Sequence, residues 1–229
     1  MNKTVVIHQP DFIPYIGFFQ RFLNADLFVI QDGVQFSKRG WTHRDKIKTP
    51  AGEEWLTLNL QKHPHTTSIN HIYLSSNDWR KDHLKKIKEN YQKSPFFDEI
   101  FPLILSLYDE PTILMAEFNL KAIELLMDLF DVRLPYVLAS ELSARGKSNK
   151  LLIEQLQEVG ASQYLSGNGA RDYMESDKFI EAGIEVVWQQ FAHPVYPQQF
   201  GAFVPYLSAV DLLFNCGISA SRKILREET

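Results

Sequence analysis

A single cysteine, Cys216, stands among 229 residues, and one thiol cannot build a disulfide framework. No apolar run approaches the roughly 20 residues that a membrane-spanning helix needs. Cations are outnumbered: 24 Lys and Arg face 28 Asp and Glu, for a formal net charge of −4, which argues against a dedicated nucleic-acid binder. The apolar share of 45% is too high, and the net charge too low, for a disordered chain. A secretory signal, with its apolar stretch of about 7–15 residues, is missing, because Val5-Val6-Ile7 gives way at once to His8. These absences lead us to expect a cytoplasmic protein whose Cys216 is a reduced, packing thiol. Rings are in excess: 16 Phe, 9 Tyr and 4 Trp make 13% of the chain, and they have to be divided between core and site.

Thr4-Val5-Val6-Ile7-His8 is a β-branched run stopped by Gln9-Pro10, which reads as a buried strand. Tyr15, Ile16, Phe19, Phe22 and Leu23 recur at helical spacing after Pro14, so a helix starts near that proline. Leu27-Phe28-Val29-Ile30 reads as a second strand, ended by Asp32-Gly33. Strand, helix and strand in about 30 residues form a βαβ unit with parallel strands. Residues 41–47 and 55–60 alternate apolar and polar around Thr49-Pro50-Ala51-Gly52, as an antiparallel hairpin does, and residues 71–74 read as a third strand of the insert. Ser76 or Asn77 would cap a basic helix over 78–92, and a second helix is read over 112–130. Strands at 136–139, 163–166 and 184–188 alternate with helices at 148–159, capped by Ser148 and closed by Gly160, and at 172–182, closed by Gly183. The expected fold is a single α/β domain over 1–229. It is doubly wound around a mostly parallel, Rossmann-like five-stranded sheet, with a β-hairpin insertion at 39–75 and a mostly helical segment at 76–131.

Ligands of such sheets bind outside the carboxyl ends of the strands. After the first strand come His8, Gln9, Asp11 and Tyr15. His8 could donate to phosphate or act as acid or base, or be satisfied by backbone. After the second strand come Asp32, which could hold a substrate amine or serve as a turn residue, and Gln35. Arg44, in the cationic and aromatic stretch from Arg39 to Lys46, could fork onto phosphate or carboxylate, or lie on a solvated hairpin. Gly146-Lys147-Ser148 lacks the first glycine of a P-loop, position 141 being Glu, yet Lys147 and Ser148 stand where a helix N-terminus would take an anion. Ser166, Gly167 and Asn168 make a glycine-rich turn, and His193, Tyr196 and Gln198 follow the last strand. Zinc-binding spacings and the nucleophile elbow are absent, so no metal ligands are assigned. Of the rings, Phe19, Phe22, Phe28 and Phe118 fall at core positions. Phe12, Tyr15, Phe36, Trp41, Phe191 and Tyr196 fall in or beside these loops, where a crevice could stack a base or a sugar.

The run His8-Gln9-Pro10-Asp11-Phe12-Ile13-Pro14-Tyr15-Ile16-Gly17-Phe18-Phe19 resembles the opening signature of the WbqC-like protein family. So do Asp32 to Phe36 with the basic residues through Arg44, Tyr164-Leu165-Ser166-Gly167 with Gly169-Ala170, His193-Pro194 with Tyr196 and Gln198, and Leu207-Ser208 with Asp211 to Asn215 and Gly217. The resemblance spans nearly the whole chain. It implies a bacterial protein, and for some members a place in surface-polysaccharide (O-antigen) loci, where amino sugars carry amino-acyl groups. The His-containing Pro/Gly loop after the first strand, with Gln35-Phe36, is also similar to the start of the nucleotidylyltransferase superfamily, which includes pantothenate synthetase. Phe18-Phe19 stands where that superfamily has its second histidine.

The expected activity is that of an ATP-dependent ligase or a nucleotidyl or aminoacyl transferase acting on a nucleotide-linked amino sugar. ATP with Mg²⁺ would be the cofactor, and His8, Asp32 and His193 the catalytic residues. The alternatives are an ATP-independent acyl or sugar-modifying transferase in the same crevice, and a non-catalytic binding or scaffold protein.

Overall fold

The computed structural model describes residues 2–75, 78–109 and 111–227; the cap expected at Ser76 or Asn77 lies outside the described residues. The chain begins with β1 (Thr4–His8), α1 (Ile16–Gln20) and β2 (Leu27–Ile30), followed by the hairpin β3 (Arg44–Thr49) and β4 (Gly52–Thr57). Three helices come next, α2 (Trp79–Tyr91), α3 (Phe97–Tyr108) and α4 (Met115–Leu129). Alternation resumes with β5 (Tyr136–Leu138), α5 (Ser148–Glu158), β6 (Gln163–Ser166), α6 (Ser176–Glu181) and β7 (Glu185–Trp188), and α7 (Ala209–Leu225) closes the chain. These elements sort into two compact units.

Unit 1 comprises Met1–Gln9, Gln20–Gly33 and Arg133–Ala192. Its sheet has the order β5-β2-β1-β6-β7, and every pairing is parallel. This is the Rossmann-like arrangement expected from the strand spacing, with the order reversing between β1 and β6. The central strands are apolar because both faces are covered: Val5, Ile7, Leu27, Val29 and Tyr164 pack with Leu156 of α5, Phe179 of α6 and Ile184. Burying each such side chain is worth about 1.5–3 kcal/mol. β1 pairs with β2 along its length, to His8↔Ile30. Its pairing with β6 stops at Val5↔Tyr164. Beyond that pair the carboxyl ends of β1 and β6 are not laddered to each other, while each stays paired on its other side, to β2 and to β7.

Unit 2 comprises Pro10–Phe19, Val34–Val132 and His193–Thr229. β3 and β4 pair antiparallel from Arg44↔Thr57 to Thr49↔Gly52, turning through Pro50-Ala51 as the sequence predicts. The core is aromatic: Phe12, Phe18, Phe19, Trp79, Tyr91, Phe118, Phe130 and Phe214 are each under 2% exposed. Tyr91 stacks on Phe214 at 4.6 Å and 14°. Asn119, fully buried, donates to the carbonyls of Pro10 and Thr42 and so pins the loop after β1 beside the approach to the hairpin.

Several element boundaries differ from the sequence reading. Residues 71–74 are not a strand; they carry a 3₁₀ turn, Ile69–His71, and isolated bridges at Leu60↔Leu74 and Tyr73↔Leu114. α4 starts three residues later than expected, because Leu114 is extended. α3 was not anticipated: Pro102 reads as a breaker, but burial of Ile100, Ile104, Leu107 and Tyr108 carries the helix through it. α7 was also missed, because it is broken at Gly217 (φ 72°, ψ 171°). A Cβ at Gly217 would lie 2.5 Å from the Phe96 ring, so both backbone and packing require glycine there. Ser148 is not a cap. Lys147 holds the N-cap position, and Ser148 is the first helical residue, with φ at 52° and no side-chain cap bond.

Candidate functional site

The carboxyl edge of the unit 1 sheet gathers His8, Arg21, Ser166 and Gly167. Arg21 lies in the 3₁₀ turn Arg21–Asn24 that follows α1 and is only 4% exposed. Its guanidinium fills the space a side chain at position 167 would take: a Cβ there would sit 3.3 Å from Arg21 Nη1. Gly167 has ordinary φ and ψ (−73°, 151°), so close approach rather than backbone freedom is what glycine supplies. Burial, with the Arg21 charge adding, lowers the His8 pKa to about 3. The ring is therefore neutral near pH 7. Its Nδ1 lies 3.0 Å from the Gln9 carbonyl, which can only accept. Nδ1 thus carries the proton, and Nε2 presents a lone pair. In this tautomer Nε2 accepts a hydrogen bond, and the cation beside His8 is Arg21.

Other polar groups of unit 1 are engaged by the chain itself. Asp32, 3% exposed, accepts from Ser140 N at 2.9 Å and Ser140 Oγ at 2.7 Å, tying the end of β2 to the turn after β5. Gln31 and Gln155 exchange amide hydrogen bonds in the interior. Lys147 and Ser148 are exposed. The N–H groups before them, which would cradle an anion, hold carboxylates of α5: Gly146 N and Arg145 N donate to Glu154, and Ser143 N and Ala144 N to Glu158. Asn168 bridges to the Gln189 carbonyl and accepts from Arg171, whose guanidinium lies 4.6 Å over Trp188.

Unit 2 holds the remaining candidates. Asp11 is 8% exposed beside the buried Asp45, whose carboxyl is held well above the usual range by burial first, with the charge of Asp11 adding. Gln35 donates to the His65 carbonyl and ring, fastening the 63–68 loop. Arg44 lies over Trp55, 4.0 Å from the ring centroid, and donates to the Arg39 carbonyl. Tyr196 and Gln198 donate to Asp211 at 2.9 Å each. Tyr91 donates to the same carboxylate at 2.8 Å, and Gln198 also accepts from the buried Lys48. His193, its pKa lowered by burial, stands edge-on to Tyr206 at 5.0 Å, and Tyr15 tilts against the same Tyr206 at 5.8 Å. Of the rings expected at a crevice, Phe12 belongs instead to the core, against His83 and Phe118, because the loop after β1 folds inward on Asn119.

Arg21 escaped sequence reasoning, yet a signal was present: a cation inside Phe18-Phe19-Gln20-Arg21-Phe22-Leu23, four residues from Gly17 on the buried side of an apolar run. Among the described residues, no group of three or more His, Cys, Asp or Glu is placed to hold a metal ion, and no helix is long and apolar enough to cross a membrane.

A parallel sheet of Rossmann-like order defines a class: doubly wound α/β proteins, in which the carboxyl ends of the strands are the usual place for a ligand. Within that class the chain belongs to the WbqC-like protein family, whose model matches residues 9–223. It is 32% identical over 223 residues to the uncharacterized protein Rv1507c of Mycobacterium tuberculosis, covering 95% of this chain and 96% of that protein. No solved structure matches the chain. Neither the family match nor this relative shows the similarity to the nucleotidylyltransferase superfamily.

Proposed function

We propose that this chain is a transferase or ligase that receives nucleotide phosphates at the switch point of its parallel sheet and acts on a nucleotide-linked amino sugar in bacterial surface-polysaccharide synthesis. The observation that carries the reading is the buried Arg21 guanidinium beside His8, with Gly167 leaving it room. A buried guanidinium in low-dielectric surroundings suits charge developing on phosphate. In the ligase form, a carboxylate oxygen attacks the α-phosphorus of ATP and pyrophosphate leaves. The sugar amine then attacks the acyl carbon and AMP departs. His8 Nε2 accepts a hydrogen bond from the incoming hydroxyl or amine, and a bound polyanion raises its basicity. ATP brings Mg²⁺ on its own phosphates.

The same lone pair favours a second reading, ATP-independent acyl transfer with His8 as base. Thermal unfolding with ATP–Mg²⁺, UDP- and TDP-sugars and acyl-CoA separates the two. A ligand at a thousand times its Kd stabilises by about 4 kcal/mol. ATP–Mg²⁺ should shift the midpoint and support pyrophosphate exchange, and Arg21→Ala should abolish both. A shift with acyl-CoA and none with ATP would replace the first reading with the second. No shift with any of these ligands would leave a scaffold.

A further inference from the structure

Unit 2 contains a cleft of about 690 Å³ that no element of the proposed function uses. Phe36, Leu58 and Leu60 give it an apolar side, and Thr57, Asn59, Gln61 and Ser75 a polar one. Lys38, Arg39 and Lys62 stand around it with His43 and His63, and none of its lining residues is an Asp or Glu. In a chain with 28 acidic residues against 24 basic ones, that local excess of cations is a departure from the average surface. None of the three cations forms an ion pair among the described residues. Their charge is therefore available to a ligand, and clefts of one sign concentrate counter-charged solutes.

The cleft is braced rather than a gap between loose loops. Leu58 N donates to the His43 carbonyl at 2.8 Å, Ser75 N to the Asn59 carbonyl at 2.7 Å, and Gln61 N to the Tyr73 carbonyl at 2.9 Å. Phe36 N is held by Thr67. The Phe36 ring is 4% exposed, with His43 and His63 edge-on at 5.3 Å each. Arg39 keeps a left-handed backbone, φ 65°, and its carbonyl accepts from Arg44, itself fixed on Trp55. Strain of that kind, held in place by neighbours, is common where a side chain must be aimed.

We infer that this cleft binds a diphosphate-bearing small molecule, its phosphates among Lys38, Arg39 and Lys62 and its neutral part against Phe36, Asn59 and Gln61. The volume suits a sugar or a nucleoside attached to the diphosphate. The inference stands on unit 2 alone and does not depend on the reading of unit 1.

Calorimetric titration with inorganic pyrophosphate and with UDP tests it, alongside the ring-proton NMR signals of His43 and His63. Wild-type protein should bind UDP saturably, more weakly as salt rises, and move both histidine signals. The exposed double variant Lys38→Glu/Lys62→Glu, folded by circular dichroism, should weaken binding roughly tenfold or more. The movement of the His43 and His63 signals reports the unit 2 cleft alone and should be lost in the double variant. UDP binding that survives the double variant at full strength, with both signals unmoved in the wild-type protein, would overturn the inference and leave unit 1 as the anion site. So would the absence of saturable binding, or oligouridylate binding far more tightly than UDP, which would make the cleft a nucleic-acid surface.

Discussion

The Asp211 cluster of unit 2 and the carboxyl edge of the unit 1 sheet both bury charge, and they dispose of it differently. Asp211 accepts from Tyr91, Tyr196 and Gln198, and the neighbouring Lys48 ammonium donates to Gln198 and to the Ala202 carbonyl. Each of these donors ends on an acceptor of the chain, so the cluster is closed and its work is to hold the 196–204 loop to α7 and β3. At the sheet edge a guanidinium lies where the β1–β6 ladder has ended, against a residue with no side chain, beside an imidazole with a lone pair on Nε2. A closed cluster stabilises. The sheet-edge groups stand instead at strand carboxyl ends, where ligands of such sheets bind, and the proposed function assigns them to phosphate. The distinction is measurable, since substitutions in the first region should act on folding and those in the second on binding.

The largest effect is expected at Asp211. Asp211→Ala leaves three buried donors without an acceptor and opens a small void, for a loss of about 3–5 kcal/mol in urea unfolding of the intact chain. Tyr196→Phe, which removes one of the donors, should cost about 1 kcal/mol. Near-wild-type stability for Asp211→Ala would mean that the cluster is not closed and that Asp211 deserves a place among the site residues.

A smaller effect separates the two buried histidines. His83, in unit 2, has its pKa lowered to about 4, chiefly by burial, and makes bonds to Tyr108 Oη and the Thr57 carbonyl. His8 is lowered to about 3. In both cases the unfolded chain binds a proton first as pH falls below about 6.5, so stability is full above that value and declines toward the folded pKa. Each histidine should contribute about 1.4 kcal/mol per pH unit inside its window. The buried carboxyls Asp45 and Asp211, raised by burial, act with the opposite sign. The clean readout is therefore the difference between wild type and His83→Gln, whose stability should slope less between pH 6 and 4.5. ATP–Mg²⁺ should raise the His8 titration seen by NMR and leave that of His83 in place; equal movement of both would erase the contrast between site and core.

The backbone of unit 1 was legible because its signals are local. β-branched runs closed by Gln9-Pro10 and by Asp32-Gly33 define β1 and β2, and β6 occupies the expected residues. α3 and α7 were hidden by Pro102 and Gly217: burial of Ile100, Ile104, Leu107 and Tyr108 overrides the proline, while the kink that Gly217 makes divides α7 into two shorter helical stretches. The site loops were legible as loops. What could not be read was how their polar groups are spent. Asp32 looks the same in sequence whether it meets an amine or Ser140, and Gly146-Lys147-Ser148 does not announce that Glu154 and Glu158 fill its N–H groups from the next helix. Satisfaction of a hydrogen bond is a tertiary fact. Arg21 was overlooked for the converse reason: its neighbours are core residues, and only the fold brings Gly167 against it.

Gly167→Ala makes the finest test of the contrast. The φ and ψ of Gly167 are open to any residue, so alanine carries no backbone strain, and a Cβ at 3.3 Å from Arg21 Nη1 requires the guanidinium to shift by only a few tenths of an ångström. Stability should change by less than about 1 kcal/mol, since loss of glycine's entropy in the unfolded chain offsets the crowding. Nucleotide binding should nevertheless fall, because a displaced guanidinium no longer meets the phosphate at the geometry it was packed for. A variant that keeps its unfolding midpoint and loses the ATP–Mg²⁺ shift marks the Arg21–Gly167 contact as a site. A variant that loses both, or keeps both, returns it to the core.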